Sequence, residues 1–99
     1  MFTLETGFSG SMRIRRSHNL GLEEARKRAD RIAEDLREEF SFRSRWVGDA
    51  LHVEGTGASG ELHVDDHVIE LVVKLGFALK LMEGPIRSAI ERMMDEELA

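Results

Sequence analysis

Two histidines, His52 and His63, are the residues of this chain whose types and spacing come nearest to a metal site. On neighbouring antiparallel strands, their imidazoles would face each other and could share one cation. A third ligand is missing from the pattern, and Arg45 would stand beside the pair. We therefore predict a solvated polar face at these histidines, with no metal ion and no cofactor.

His18 is a third histidine that could belong to a polar site, because it stands just before the predicted first helix. A structural role is simpler: His18 would cap that helix or form a hydrogen bond with a nearby carbonyl. The fourth histidine, His67, follows Asp65 and Asp66, and this trio is typical of turn chemistry. The candidate polar residues are thus His18, His52 and His63.

No pattern in the sequence marks a catalytic centre. Glu54 and Glu61 could face each other across a hairpin, but a surface charge ladder explains them better than an acid–base pair. The glycine-rich residues 55–60 resemble a phosphate loop, yet no Lys-Ser/Thr follows and no helix begins there. Because the chain has no cysteine, thiol catalysis and disulfides are excluded. We predict that the protein is not an enzyme and has no catalytic residues.

The composition indicates one small, acidic, globular domain. The chain has 99 residues, a formal net charge of -5 and 41% hydrophobic residues, which predicts no general attraction to nucleic acid. The most apolar stretch, residues 69–82, is too short to span a bilayer, and the N-terminus does not resemble a signal peptide. We expect a cytoplasmic protein without a transmembrane segment.

Residues 1–11 differ in character from the rest of the chain. They end in Ser9-Gly10-Ser11, a flexible composition, immediately before Met12. We predict a flexible N-terminal extension over residues 1–11, of artificial or upstream origin, and a single domain over residues 12–99. The alternative is a native N-terminus that is frayed.

Alternating and helical periodicities predict an α+β fold with the order strand, helix, four-strand antiparallel meander, helix. A first strand over residues 12–16 precedes a helix over residues 22–40, and Gly84-Pro85 opens the last helix. Both helices need apolar cover and the sheet offers one apolar face, so we expect two layers with the helices on one face.

Turn positions predict the register of the meander. A hairpin turn at Gly48-Asp49 sets Trp46 opposite Leu51, and a looser turn over residues 55–60 sets His52 opposite His63. A turn at Asp65-Asp66 then sets Leu62 opposite Ile69. The predicted buried face consists of Phe42, Trp46, Leu51, Val53, Leu62, Val64, Ile69, Leu71 and Val73.

Several short segments, in order, resemble a small bacterial family, the polyhydroxyalkanoic acid system proteins. The segments are His18-Asn19-Leu20-Gly21, Trp46-Val47-Gly48-Asp49-Ala50-Leu51, Gly60-Glu61-Leu62, Leu75-Gly76-Phe77 and Gly84-Pro85-Ile86. The resemblance covers nearly all of residues 12–98. It implies a link to storage-polyester granules and brings no catalytic residues with it.

Two functional hypotheses follow. The first is a non-enzymatic accessory protein of polyhydroxyalkanoate storage that binds a granule surface or a protein on it. The second is a small apolar-ligand binder, for an acyl or lipid-like molecule, with a helix-grip-like cavity. The pattern leaves open whether the protein forms a homo-oligomer.

The candidate contact segment is residues 75–82, which are more apolar than a connector requires. Phe77, Leu79 and Leu81 either close the end of the core or stay exposed and touch a granule or a granule-bound partner.

Overall fold

The structure, a computed structural model, describes residues 11–99. The strands are β1 (Ser11–Ser17), β2 (Arg43–Val47), β3 (Ala50–Gly55), β4 (Ala58–Val64) and β5 (Val68–Leu75). The helices are α1 (Gly21–Phe40) and α2 (Glu83–Leu98), and a 3-10 helix, Phe77–Met82, joins β5 to α2. The predicted order of elements is confirmed. The predicted N-terminal extension lies outside the described residues except for Ser11, which begins β1.

All five strands form one antiparallel sheet in the order β1-β5-β4-β3-β2. The first strand of the chain therefore closes the sheet beside the last, with Met12 opposite Val73 and Arg15 opposite Glu70. Hairpins connect β2 to β3, β3 to β4 and β4 to β5. The sheet edges are β1 and β2.

The predicted register is correct for the first hairpin and wrong for the next two. Trp46 lies opposite Leu51 as expected. His52 lies opposite Glu61, not His63, because the β3–β4 hairpin turns tightly at Gly57, whose φ of 78° suits glycine. Leu62 lies opposite Leu71, not Ile69.

Both errors shift the pairing by two residues, so neither moves a side chain to the opposite face of the sheet. The predicted inward residues of β3, β4 and β5 are all buried: Leu51, Val53, Leu62, Val64, Ile69, Leu71 and Val73.

Both helices cover the same face of the sheet, as predicted. The buried stripe of α1 consists of Ala25, Ala29, Ile32, Ala33 and Leu36, and its three alanines let the helix lie close to β2, β3 and β4. The stripe of α2 consists of Ile90, Met93 and Met94, and this helix contacts α1 and β1. The opposite side of the sheet, here called the outer face, carries no helix formed by residues 11–99.

Trp46, predicted on the core face of the sheet, packs against the core but is only half-buried, because β2 is an edge strand. Its Nε1–H donates a hydrogen bond to Oδ1 of Asp30 at 2.8 Å. The guanidinium of Arg26 lies 3.9 Å from the ring centroid, at a cation–π distance. Trp46 therefore ties β2 to α1 at the rim of the core.

Candidate functional site

The segment Phe77–Met82, here called the apolar turn, carries the most exposed large hydrophobic side chains among residues 11–99. Phe77 is 91% exposed and Leu81 is 93% exposed, and Met82 follows at 49%. Phe77 and Leu81 stand four residues apart on the same short helix. Apolar side chains this exposed, grouped in one segment, are typical of a surface that contacts something else.

Contacts with the β3–β4 hairpin hold the apolar turn in place. The backbone N–H of Gly76 donates to the carbonyl of Gly57 at 2.7 Å. Leu79 is half-buried against the core, and its Cδ1 lies 3.4 Å from the position that a Cβ on Gly57 would occupy. Leu79 thus points inward, which leaves Phe77 and Leu81 on the outside.

The three predicted contact residues therefore differ in exposure: Leu79 packs against the core, whereas Phe77 and Leu81 are exposed. The alternative in which all three close the end of the core is wrong for Phe77 and Leu81 and agrees with the position of Leu79. The sequence marks the segment as more apolar than a connector requires. It could not separate the three side chains, because their exposure depends on how the hairpin tip meets the segment.

The outer face contains a shallow groove with a volume of about 730 Å³. Its floor crosses all five strands, and one cross-strand row runs from Arg45 through His52, Glu61 and Val72 to Arg13. We define the groove by its charged and histidine side chains: Arg13, Arg43, Arg45, Lys74, Glu54, Glu61, His52 and His63. Four cationic groups therefore face two carboxylates.

His52 and His63 are not cross-strand partners of each other, but both side chains approach Glu61. Nε2 of His63 lies 2.9 Å from Oε1 of Glu61, and Nδ1 of His52 lies 3.7 Å from Oε2. Glu61 therefore replaces the direct histidine contact that the predicted register implied. Within residues 11–99, no group of three or more His, Cys, Asp or Glu side chains has the arrangement of a metal site.

His18 has a structural role, one of the two expected for it. The side chain is 8% exposed, and its Nδ1 accepts a hydrogen bond from the N–H of Leu20 at 3.1 Å. Since Nδ1 is an acceptor, Nε2 carries the proton and donates to the carbonyl of Asp65 at 2.9 Å. His18 thus fastens the start of α1 to the β4–β5 turn.

A carboxyl pair lies where α1 meets α2. Burial, the hydrogen bond with Glu97 and the negative charge of Glu97 raise the pKa of Asp35 to about 6. The folded protein therefore holds this proton more firmly than the unfolded chain does. The stabilising contribution is complete below the ordinary carboxyl pKa, about 3.9, and is lost as the pH rises through about 6.

We expect Asp35→Asn to stabilise the protein at neutral pH by on the order of 1 kcal/mol, because the site is partly screened by water. Urea unfolding of both proteins at about pH 4.5 and about pH 7.5 measures this. The variant should lose less stability than the wild type between the two values. Glu38→Gln, an exposed position on the same helix, should keep the wild-type dependence; if Asp35→Asn does too, the prediction is wrong.

Two pockets formed by residues 11–99 lie on the surface. One is the groove on the outer face, and the other is a smaller depression along α1 and α2 beside Asp35 and Arg92. Between helices and sheet, Leu51, Leu62, Ile69 and Met94 are at most 1% exposed. The hypothesis of a helix-grip-like cavity for an apolar ligand therefore gains no support from the packing.

Neither α1 nor α2, the long helices of the described part of the chain, is apolar enough along its length to cross a membrane. The chain has no match among curated proteins. One solved structure, the "NMR structure of PA4090 from Pseudomonas aeruginosa", is similar over 84% of this chain and 81% of that chain, with 9% identity and a TM-score of 0.48. A similarity of this size carries no functional argument.

A protein family matches residues 12–98, nearly the whole described chain. Its description is "Putative polyhydroxyalkanoic acid system protein", which agrees with the resemblance carried by the short segments around His18, Trp46 and Gly84. The chain belongs to this polyhydroxyalkanoic acid system family.

Proposed function

We propose that this protein is a non-enzymatic accessory protein of polyhydroxyalkanoate storage, and that it contacts the surface of the granule through the apolar turn. The observation that carries the proposal is the exposure of Phe77 and Leu81, 91% and 93%. Membership of the polyhydroxyalkanoic acid system family is the reason for choosing a polyester granule as that surface. Storage granules lie in the cytoplasm, so the proposal places the protein there.

The geometry of the apolar turn suits a soft or extended apolar surface. Its two outermost side chains project from a short helix that Leu79 and the Gly76–Gly57 hydrogen bond fix to the sheet. The side chains are therefore presented without a further folding step, which lowers the entropy cost of binding.

Magnitudes indicate reversible binding. Full burial of Phe77 and Leu81 contributes about 1.5–3 kcal/mol for each side chain. Two such contributions correspond to a dissociation constant in roughly the millimolar range or somewhat below. The apolar turn therefore predicts a protein that exchanges between solution and granule, unless further contacts add to it.

Co-sedimentation with granules tests the proposal. We expect the double variant Phe77→Ser/Leu81→Ser to remain folded, because both side chains are exposed, and to lose most of its granule-bound fraction. The matched control is Leu22→Ser/Val47→Ser, which removes two other exposed apolar side chains, 40% and 48% exposed, and should bind as the wild type does.

Circular dichroism and urea unfolding of both variants show whether each is folded. Granules stripped of protein distinguish the polymer surface from a granule-bound protein, since binding to stripped granules requires no protein partner. Equal binding by both double variants, or wild-type binding that disappears on stripped granules, would contradict contact between the apolar turn and the polymer.

A further inference from the structure

We infer that the groove on the outer face is a second binding site, which holds the carboxylate end of a short hydroxyalkanoate oligoester. The site rests on the charges and geometry of the groove. The choice of this carboxylate, among small organic anions, rests on the proposed function.

The first argument is charge. The chain as a whole has 14 Lys and Arg against 19 Asp and Glu, yet the groove is lined by four cationic side chains and two carboxylates. A third carboxylate, Glu70, lies 3.4 Å from Arg13, and an excess of positive charge remains. An excess of positive charge on one concave surface of an acidic protein attracts anions selectively to that surface.

The second argument is that the arginines of the β2 edge are only weakly engaged. Arg43 lies 4.0 Å from Glu54, with both side chains largely exposed, 84% and 72%, and such pairs contribute little. Arg45 forms no ion pair with any carboxylate of residues 11–99. A guanidinium in this state can form two parallel hydrogen bonds with a ligand carboxylate.

The third argument is the order of groups along the cross-strand row. His52 lies directly beside Arg45, and Glu61 lies beyond His52. A ligand with its carboxylate at Arg45 would bring ester carbonyls and a terminal hydroxyl towards the histidines and Glu61. The His52 imidazole, whose Nδ1 is 3.7 Å from Glu61 and so forms no hydrogen bond with it, can donate its N–H to a carbonyl, and the Glu61 carboxylate accepts from a hydroxyl.

The volume of the groove also fits such a ligand. About 730 Å³ lies within the range of roughly 300–1,000 Å³ that is usual for small-molecule sites. The groove is open and most of its lining residues are charged or polar, so it suits a flexible ester chain with charged and hydroxyl ends.

An NMR titration of the full chain tests the inference. The probe is the linear trimer of 3-hydroxybutyrate, followed through backbone amide shifts, and its methyl ester is the control without the charge. We expect saturable shifts centred on Arg45, His52 and Glu61 for the acid. The ester should bind about tenfold more weakly or worse, because it lacks the charge-assisted hydrogen bonds.

Arg43→Gln/Arg45→Gln should weaken binding of the acid by about tenfold or more. The charge-matched control is Arg15→Gln/Arg31→Gln, which changes one outer-face residue outside the groove and one exposed residue of α1; its affinity should stay within about twofold. Equal losses in both variants, equal binding of the ester, or no saturable shifts would each overturn the inference.

These outcomes are separable from those of the granule experiment. If the trimer does not bind but granule binding depends on Phe77 and Leu81, the groove inference fails and the proposed function stands. If the trimer binds and granule binding is unaffected by the Phe77/Leu81 change, the proposed granule contact fails.

Discussion

Gly60→Ala is expected to destabilise the protein by about 2–3 kcal/mol. Gly60 lies inside β4, opposite Val53 and Val73, at an inward position. A Cβ there would stand 2.4 Å from the carbonyl oxygen of Val72 and 3.3 Å from Cα of Val73. Both are backbone atoms of the neighbouring strand, so relief requires the sheet itself to shift.

Urea unfolding measures the loss, with the slope m compared to exclude a change in the unfolded state. The control is Ser59→Ala, which changes the exposed neighbour of Gly60 on the same strand. We expect this control to change the stability by no more than about 0.5 kcal/mol. If the Gly60→Ala variant is as stable as the wild type, β4 and β5 are not as close together as described.

His18→Ala is the second change with a large expected effect, about 2–4 kcal/mol of stability. The substitution leaves the N–H of Leu20 and the carbonyl of Asp65 without their side-chain partner, at a site where the histidine is 8% exposed. It also separates the start of α1 from the β4–β5 turn.

His67→Ala is the matched control, since the His67 side chain is exposed while its backbone N–H and carbonyl bind Asp65 and His18. Those backbone groups survive the substitution, so the stability should change by no more than about 0.5 kcal/mol. Similar losses for both histidines would indicate that the turn, rather than the His18 side chain, carries the stability.

The sequence was sufficient for the fold because period-two and helical patterns survive small errors in pairing. The pairings across the β3–β4 and β4–β5 hairpins were each predicted two residues out of register, and the inward faces were still correct. The misplaced turn did matter for polar chemistry. It put His63 opposite His52, where the structure has Glu61.

Exposure within an element was harder to predict than its type. Trp46 alternates like a core residue, but it lies on an edge strand, where neighbouring cover decides its burial. Phe77, Leu79 and Leu81 are similar in hydrophobicity, and only the tertiary contact of Leu79 with the β3–β4 hairpin separates them. Neither the partial exposure of Trp46 nor the different exposure of these three side chains can be predicted from the local spacing of apolar residues.

The apolar turn is the feature on which the proposed function depends. Its two outermost side chains, Phe77 and Leu81, expose apolar area to water, and the packing of the core and the helices does not require this exposure. Leu79 packs against the core and holds the segment in this position. Contact with a polyester surface would remove that exposed area.

A single-cysteine probe tests this contact most directly, because the chain has no cysteine of its own. Ala78→Cys, exposed between Phe77 and Leu79, is labelled with a solvatochromic dye, and Glu38→Cys on α1 is the control. With protein-stripped granules, we predict a blue shift at position 78 and none at position 38. Granule binding with no shift at position 78, or with equal shifts at both positions, would contradict the proposed contact.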